Sequence, residues 1–421
     1  MTEHGKKQSK IKRFFRLLGP GLVTGASDDD PSGIATYSQA GAQFGMATLW
    51  TALLTFPLMA SIQEMCARIG IVTSQGLTTI IRNNYPKAIL YLMIIFTFPA
   101  VVLNIGADIA GMGAVANLIF PSVRAIFFSV GFTGILMALI IYLPYQKMAS
   151  VLKYLCLFLL LYLVVPFLAK QNWGAIARHT FIPAIHFNKG FINILVAILG
   201  TTISPYLFFW QATMEAEDVQ HQKQKIIVDK KVIQKMGWDV DFGMLFSNIV
   251  MFFIILTAGT VLYNGGIHQI DTVEQAAKAL EPIAGKLAYL LFAIGVIGTG
   301  FLAIPVLCGS LSYILSDTFG WAGSLDKKYF EAKPFYWVII ISLVVGLGIN
   351  YMGISPIQAL IYTSVLYGVT APVMIAVILH ISNNKKVMGE FTNGRWSNIF
   401  GFITLVLMTA AVCALLYLQF A

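Results

Sequence analysis

The sequence predicts an all-α polytopic membrane protein with eleven transmembrane helices. Hydrophobic residues fill 57% of its 421 positions and charged residues only 11%, where a soluble domain carries roughly 25% charged residues. Mean hydropathy is +0.77. A scan at the roughly 20 apolar residues that a bilayer span requires marks eleven stretches, at about 14–42, 47–70, 86–119, 122–143, 149–169, 191–217, 239–264, 281–316, 334–352, 355–381 and 397–420. So few charges cannot clothe a water-soluble fold of this size. A cytosolic enzyme, a secreted disulfide scaffold and a disordered hub are excluded on that ground.

The net charge of +9 describes topology. Its basic residues fall in short connections between apolar runs, not in a stripe interleaved with aromatics, so no nucleic-acid partner is expected. With the N-terminus in the cytoplasm, 22 of the 28 Lys and Arg residues lie inside and six outside. The expected protein therefore sits in a bacterial cytoplasmic membrane, N-terminus cytoplasmic and C-terminus extracellular, with the lipid bilayer as a partner. Residues 1–13 form a basic cytoplasmic tail with no removable signal peptide. Cys66, Cys156, Cys308 and Cys413 are scattered singly, which predicts neither disulfides nor a thiolate metal site. Nothing in the sequence specifies an oligomeric state.

The first span, GPGLVTGASDDDPSGIATYSQAG from Gly19 to Gly41, carries Asp28, Asp29 and Asp30 in mid-run, followed by Pro31, Ser32 and Gly33. One aspartate at a bilayer centre costs about 2.5–3.5 kcal/mol even on the lenient insertion scale, so all three must face protein or a wet cavity. Asp30 then Pro31 reads as an N-cap and first helical residue. A helix start in mid-membrane means two half-helices with unwound backbone between them, tolerated only where that backbone is buried or lines a cavity. Asp28 and Asp29 stay undecided between structure and function, since three adjacent carboxylates cannot all ligate one small ion and remain charged.

The sixth span, FINILVAILGTTISPYLFFWQATMEAED from Phe191 to Asp218, is interrupted at Gly200, Thr201, Thr202, Ile203, Ser204 and Pro205. Alone it reads as a proline kink. Five spans after the first break, it becomes one of a pair of Gly/Pro-interrupted helices at matching places in two halves, a pointer to a transporter substrate site. The organisation expected is a first five-helix repeat over 14–169, a second, inverted repeat over 191–381 and an extra helix over 397–420. The breaks offer Asp30, Thr201, Ser204 and backbone carbonyls, with no histidine, Met or Cys. Oxygen-only ligation selects hard cations such as magnesium, calcium or manganese.

Over nearly its whole length the chain resembles the natural resistance-associated macrophage protein family of divalent-metal transporters. The resemblance implies the inverted-repeat fold of the amino-acid symporters (LeuT-type), with helices 1 and 6 broken. That family's first-span signature is Asp-Pro-Gly-Asn and its sixth-span signature Met-Pro-His. Its metal is held by the Asp, Asn and Met side chains and by a carbonyl three residues before the Met. DPSG puts Asp30 on the family's Asp and Gly33 where the Asn stands. ISPY puts Ser204 on the Met, Tyr206 on the His and Thr201 on the carbonyl donor. Asp108 falls on the third-span acid that serves proton movement, and Thr363 near a tenth-span polar residue that joins in occlusion.

The departures resemble those of the family's magnesium-transporting branch. A serine in place of the thioether removes a soft ligand that disfavours magnesium. Glycine in place of Asn enlarges the site for an ion that dehydrates reluctantly. Loss of the histidine removes the ring that titrates between pH 5 and 8. The expected substrate is Mg2+, with Mn2+ also carried, by alternating access and with weak or no proton coupling; no cofactor is expected. Alternatives are a conventional proton-coupled manganese/iron transporter and a sodium-coupled organic-solute symporter of the same fold. An intramembrane protease lacks its motifs. Of the remaining polar residues, Glu64 with Arg68 reads as a surface or interfacial pair. Glu215, Glu217, Asp218, Asp239, Asp241 and Asp317 read as hydrated span ends, and Asn104 and Asn350 carry no assigned role.

Overall fold

A computed structural model describes residues 19–143, 161–168, 172–221, 228–281 and 285–420. The basic tail at 1–13, Cys156 and most of the fifth expected span lie outside them. The described secondary structure is helical throughout, with no strand. In chain order the helices are α1 Pro20–Asp28, α2 Pro31–Phe44, α3 Trp50–Thr73, α4 Leu77–Asn84, α5 Lys87–Ile119, α6 Ala125–Tyr142, α7 Leu161–Leu168, α8 Trp173–Phe181, α9 Lys189–Thr202, α10 Pro205–His221, α11 Lys230–Val261, α12 Val273–Ala277, α13 Ala288–Phe319, α14 Lys333–Ile349, α15 Pro356–Asn383, α16 Lys385–Met388 and α17 Arg395–Phe420.

Seven of the eleven expected spans are long and apolar enough to cross a membrane, and α14 is a shorter apolar helix. The other three fall short for different reasons. The first is split into α1 and α2, the fifth is described only over α7, and the second, α3, carries Gln63, Glu64 and Arg68. Helix α11 starts at Lys230, nine residues before the apolar run at 239, so Lys230, Lys231 and Lys235 ride on a helix. Asp229 makes that start, its carboxylate accepting from the Val232 amide at 2.8 Å.

Both breaks fall where the sequence places them. Helix α1 ends at Asp28 and α2 begins at Pro31; α9 ends at Thr202 and α10 begins at Pro205. The half-helices meet in pairs, α1 beside α10 and α2 beside α9, while α5 and α15 pack around them. Close approach is built in: a side chain at Gly200 would collide with the α15 backbone at the Ser364 carbonyl. The breaks are thus enclosed by α5, α11 and α15.

Candidate metal site

The first break is a helix cap turned inward. Asp30 has extended backbone, and its Oδ1 accepts from the Gly33 amide at 2.8 Å and the Ser32 hydroxyl at 2.5 Å. Proline at position 31 loses no hydrogen bond there, since a first-turn amide has no intrahelical acceptor. The other oxygen, Oδ2, accepts from the Asn104 carboxamide at 2.9 Å, reaching in from α5. Asn104 in turn accepts from the Thr363 hydroxyl of α15 at 3.0 Å. Helices α2, α5 and α15 are therefore stitched together through one carboxylate and one amide.

Asp28 and Asp29 point elsewhere. Both accept from the Ser247 hydroxyl of α11, at 2.9 and 3.3 Å, leaving Asp28 Oδ1 and Asp29 Oδ2 with no hydrogen-bond partner. Asp108 lies one helical turn beyond Asn104 on α5, beside the Ser32 backbone and near enough to Asp30 for their charges to interact. All four carboxylates are at most 2% exposed. Among the described residues the single ion pair is Glu64 with Arg68 at 3.9 Å, so no Lys, Arg or His neutralises them. Nor do three His, Cys, Asp or Glu side chains converge on a point of their own. An ion held by Asp30 would draw its other ligands from hydroxyls, amides and carbonyls.

The second break supplies such oxygens. The Ser204 hydroxyl donates to the Thr201 carbonyl at 2.6 Å and contacts the Gly200 carbonyl at 3.2 Å, which leaves the Ser204 oxygen's lone pairs uncommitted. The two breaks touch at Gly33: a side chain there would meet the Asp28 carbonyl at 3.3 Å and the Thr201 hydroxyl at 3.4 Å. Tyr206, on the first turn of α10, donates to the Ser27 carbonyl at 3.3 Å and packs its ring on Tyr367, centroids 5.5 Å apart. It braces the end of α1. Thr202 is turned away, to Tyr37 at 3.1 Å and the Met251 sulfur at 3.7 Å.

Each sequence-nominated residue is thus buried at or beside the breaks, with Thr363 reaching Asp30 only through Asn104. Asn104, which carries no assigned role in the sequence, touches the central carboxylate. Its signal was an amide four residues before Asp108, hence on the same helical face. Three expected hydrated or surface groups also need correction. Glu215 is buried, bonded to Gln211 at 2.9 Å; Arg68 is buried, donating to Asn393 at 2.6 Å; and Asp239 accepts from the Gly19 and Gly21 amides, each at 2.8 Å, at the start of α1. Asn350 bonds back to the Leu347 carbonyl of its own helix at 3.1 Å. The described cysteines, Cys66, Cys308 and Cys413, are free.

Comparison with known proteins decides the family. Residues 21–418 match the family described as natural resistance-associated macrophage protein-like. The chain belongs to that family. It is 26% identical over 419 residues to a protein named divalent metal cation transporter MntH from Caldanaerobacter subterraneus, spanning 97% of this chain and 94% of that one. It is 23% identical to a protein of the same name from Klebsiella pneumoniae, spanning 97% and 95%. Among solved structures it superposes on a manganese transporter from Eremococcus coleocola with a TM-score of 0.75 at 18% identity, covering 98% of this chain and 88% of that one. A TM-score of 0.57 at 13% identity relates it to MHP1, a nucleobase-cation-symport-1 family transporter, covering 94% and 92%. The structural likenesses show the fold, and the family match makes the chain an integral membrane transporter.

Proposed function

We propose that the protein imports divalent metal ions, Mg2+ together with Mn2+, through the bacterial cytoplasmic membrane by alternating access of the two five-helix repeats. The observation that carries this reading is the set of four carboxylates, buried where two half-helix pairs meet, with no cationic side chain among the described residues to neutralise them. Unpaired charge in such a place is expensive, and a doubly positive substrate offsets it. The relatives named divalent metal cation transporters support the same class of cargo.

The choice of metal rests on the donors. Asp30, the Thr201 carbonyl and the Ser204 hydroxyl are hard oxygens, and Gly33 adds no side-chain ligand beside them. Hard ligands and partial hydration suit magnesium, and manganese accepts the same set. The thioether near the second break, Met251, contacts the Thr202 and Thr55 hydroxyls, and the donors named above are all oxygen. Asp28, Asp29 and Asp108 would add negative potential along the path, and Tyr206 and Thr363 would brace it. With the N-terminus inside, uptake runs down the membrane potential: a divalent ion gains about 4.6 kcal/mol at 100 mV, roughly 2.3 per charge. Proton coupling would be weak or absent, because no imidazole stands at the site.

Uptake of Mg2+ and Mn2+ into proteoliposomes tests the reading, with Asp30→Ala as the decisive variant. Transport should vanish while the purified protein stays monodisperse. Full transport by a folded Asp30→Ala protein would refute the site.

A further inference from the structure

We infer that Asn104 is itself a ligand of the transported ion, contributing its amide oxygen after the carboxamide turns over. This deepens the reading above and rests on Asp30 holding the ion. With the carboxamide nitrogen toward Asp30 Oδ2 and the oxygen toward Thr363 Oγ1, Asn104 offers an ion held by Asp30 only its NH2 end, which carries no lone pair for a cation. Exchanging the two ends by a half-turn puts the amide oxygen where the nitrogen now lies, 2.9 Å from Asp30 Oδ2. Adjacent ligands of an octahedral ion bound at about 2.0–2.1 Å stand about 2.9 Å apart, whereas calcium at about 2.3–2.6 Å would spread them to about 3.3–3.7 Å. The turned amide and Asp30 therefore form one edge of a magnesium-sized octahedron.

The hydrogen bonds also close after the turn. Thr363 Oγ1 lies 2.8 Å from the Leu360 carbonyl as well as 3.0 Å from Asn104. Its proton can serve Leu360 while its lone pair accepts the swung NH2 group. Asn104 and Thr363 each keep a partner in either state. Asn104 is fully buried and sits on α5, outside both breaks, so ion binding would reset contacts among α2, α5 and α15 together. Gly33 supplies no side chain on its side of the site, and Asn104 would provide an amide oxygen from another helix.

Binding of Mg2+, Mn2+ and Cd2+ to the purified full-length protein, measured by calorimetry, separates ligation from mere positioning. Asn104→Cys places a soft sulfur at the position and should raise the Cd2+-to-Mg2+ affinity ratio by about tenfold or more. Asn104→Asp should keep Mn2+ affinity within about threefold of the parent, whereas Asn104→Leu should weaken it about 10–100-fold. An unchanged Cd2+ ratio in Asn104→Cys, or Asn104→Asp as damaging as Asn104→Leu, would reduce Asn104 to a hydrogen-bond donor that orients Asp30. Asp30→Ala run alongside distinguishes the failures: if it abolishes binding while the Asn104 variants behave as donors only, the inference alone falls. If Asp30→Ala binds normally, the site assignment falls with it.

Discussion

The two breaks use the same backbone device to opposite chemical ends. Each places proline at the first position of its second half-helix, preceded by a short polar residue, Asp30 in one and Ser204 in the other. Asp30 turns forward, collecting donors from Ser32, Gly33 and Asn104, as a charged cap does. Ser204 turns backward, giving its proton to carbonyls of the half-helix it follows. The first break concentrates negative charge and the second presents neutral oxygen. Affinity for a cation should therefore reside mainly in the first, and discrimination between cations in the second.

The contrast is broken most directly by removing charge. Asp30→Asn keeps the shape and an acceptor oxygen, yet should lower Mg2+ and Mn2+ affinity by about 100-fold or more, the scale of losing a buried charged partner. Asp28→Asn, two residues away but turned toward Ser247, should cost about tenfold or less, acting through potential alone. Equilibrium binding of both variants checks the order. Equal losses would mean that the three aspartates act as one pooled charge and that Asp30 has no special place.

The discriminating half is tested at Ser204. A Ser204→Met protein should shift Mg2+-against-Mn2+ competition toward manganese by about tenfold, because a thioether substitutes poorly for oxygen around magnesium. Competitive uptake measures this, and an unchanged ratio would place selectivity elsewhere. A pH-sensitive dye inside the same vesicles gives a smaller, separate readout. Metal entry should leave the lumen near its starting pH, while strong metal-driven acidification would require a proton path through groups such as Asp108.

Why the breaks were readable and their surroundings were not follows from range. Asp, Pro and Gly in an apolar run violate a local rule, so DDDPSG and GTTISP announce themselves in sequence. Partners contributed by distant helices leave no such trace. Asp239 meets Gly19 across 220 residues and Ser247 meets Asp28 across 219, and the local hint at Asn104, its place one turn before Asp108, does not name Asp30 as its partner. Within α3, the spacing of Glu64 and Arg68 suggests a surface or interfacial pair, although the Gln63 and Arg68 side chains are buried. Arg68 escapes the cost because Asn393 and Glu64 receive it.

The finest cut in the comparison lies within Thr201, which offers the second break both a carbonyl and a hydroxyl. The carbonyl takes the Ser204 proton at 2.6 Å and has a second lone pair for an ion, while the hydroxyl borders Gly33 of the other break. If backbone supplies the ligand, Thr201→Val, which keeps shape and carbonyl, should change Mg2+ affinity by no more than about threefold, the worth of one neutral hydrogen bond. Thr201→Val losing binding on the scale of Asp30→Asn would show instead that the hydroxyl ligates the ion, and that the second break recognises its cargo through side chains alone. Gly33→Ala sharpens the result from the facing side. Its added methyl presses on that hydroxyl at 3.4 Å and on the Asp28 carbonyl at 3.3 Å, so it should weaken Mg2+ binding further in the parent than in the valine variant if hydroxyl and ion share the space.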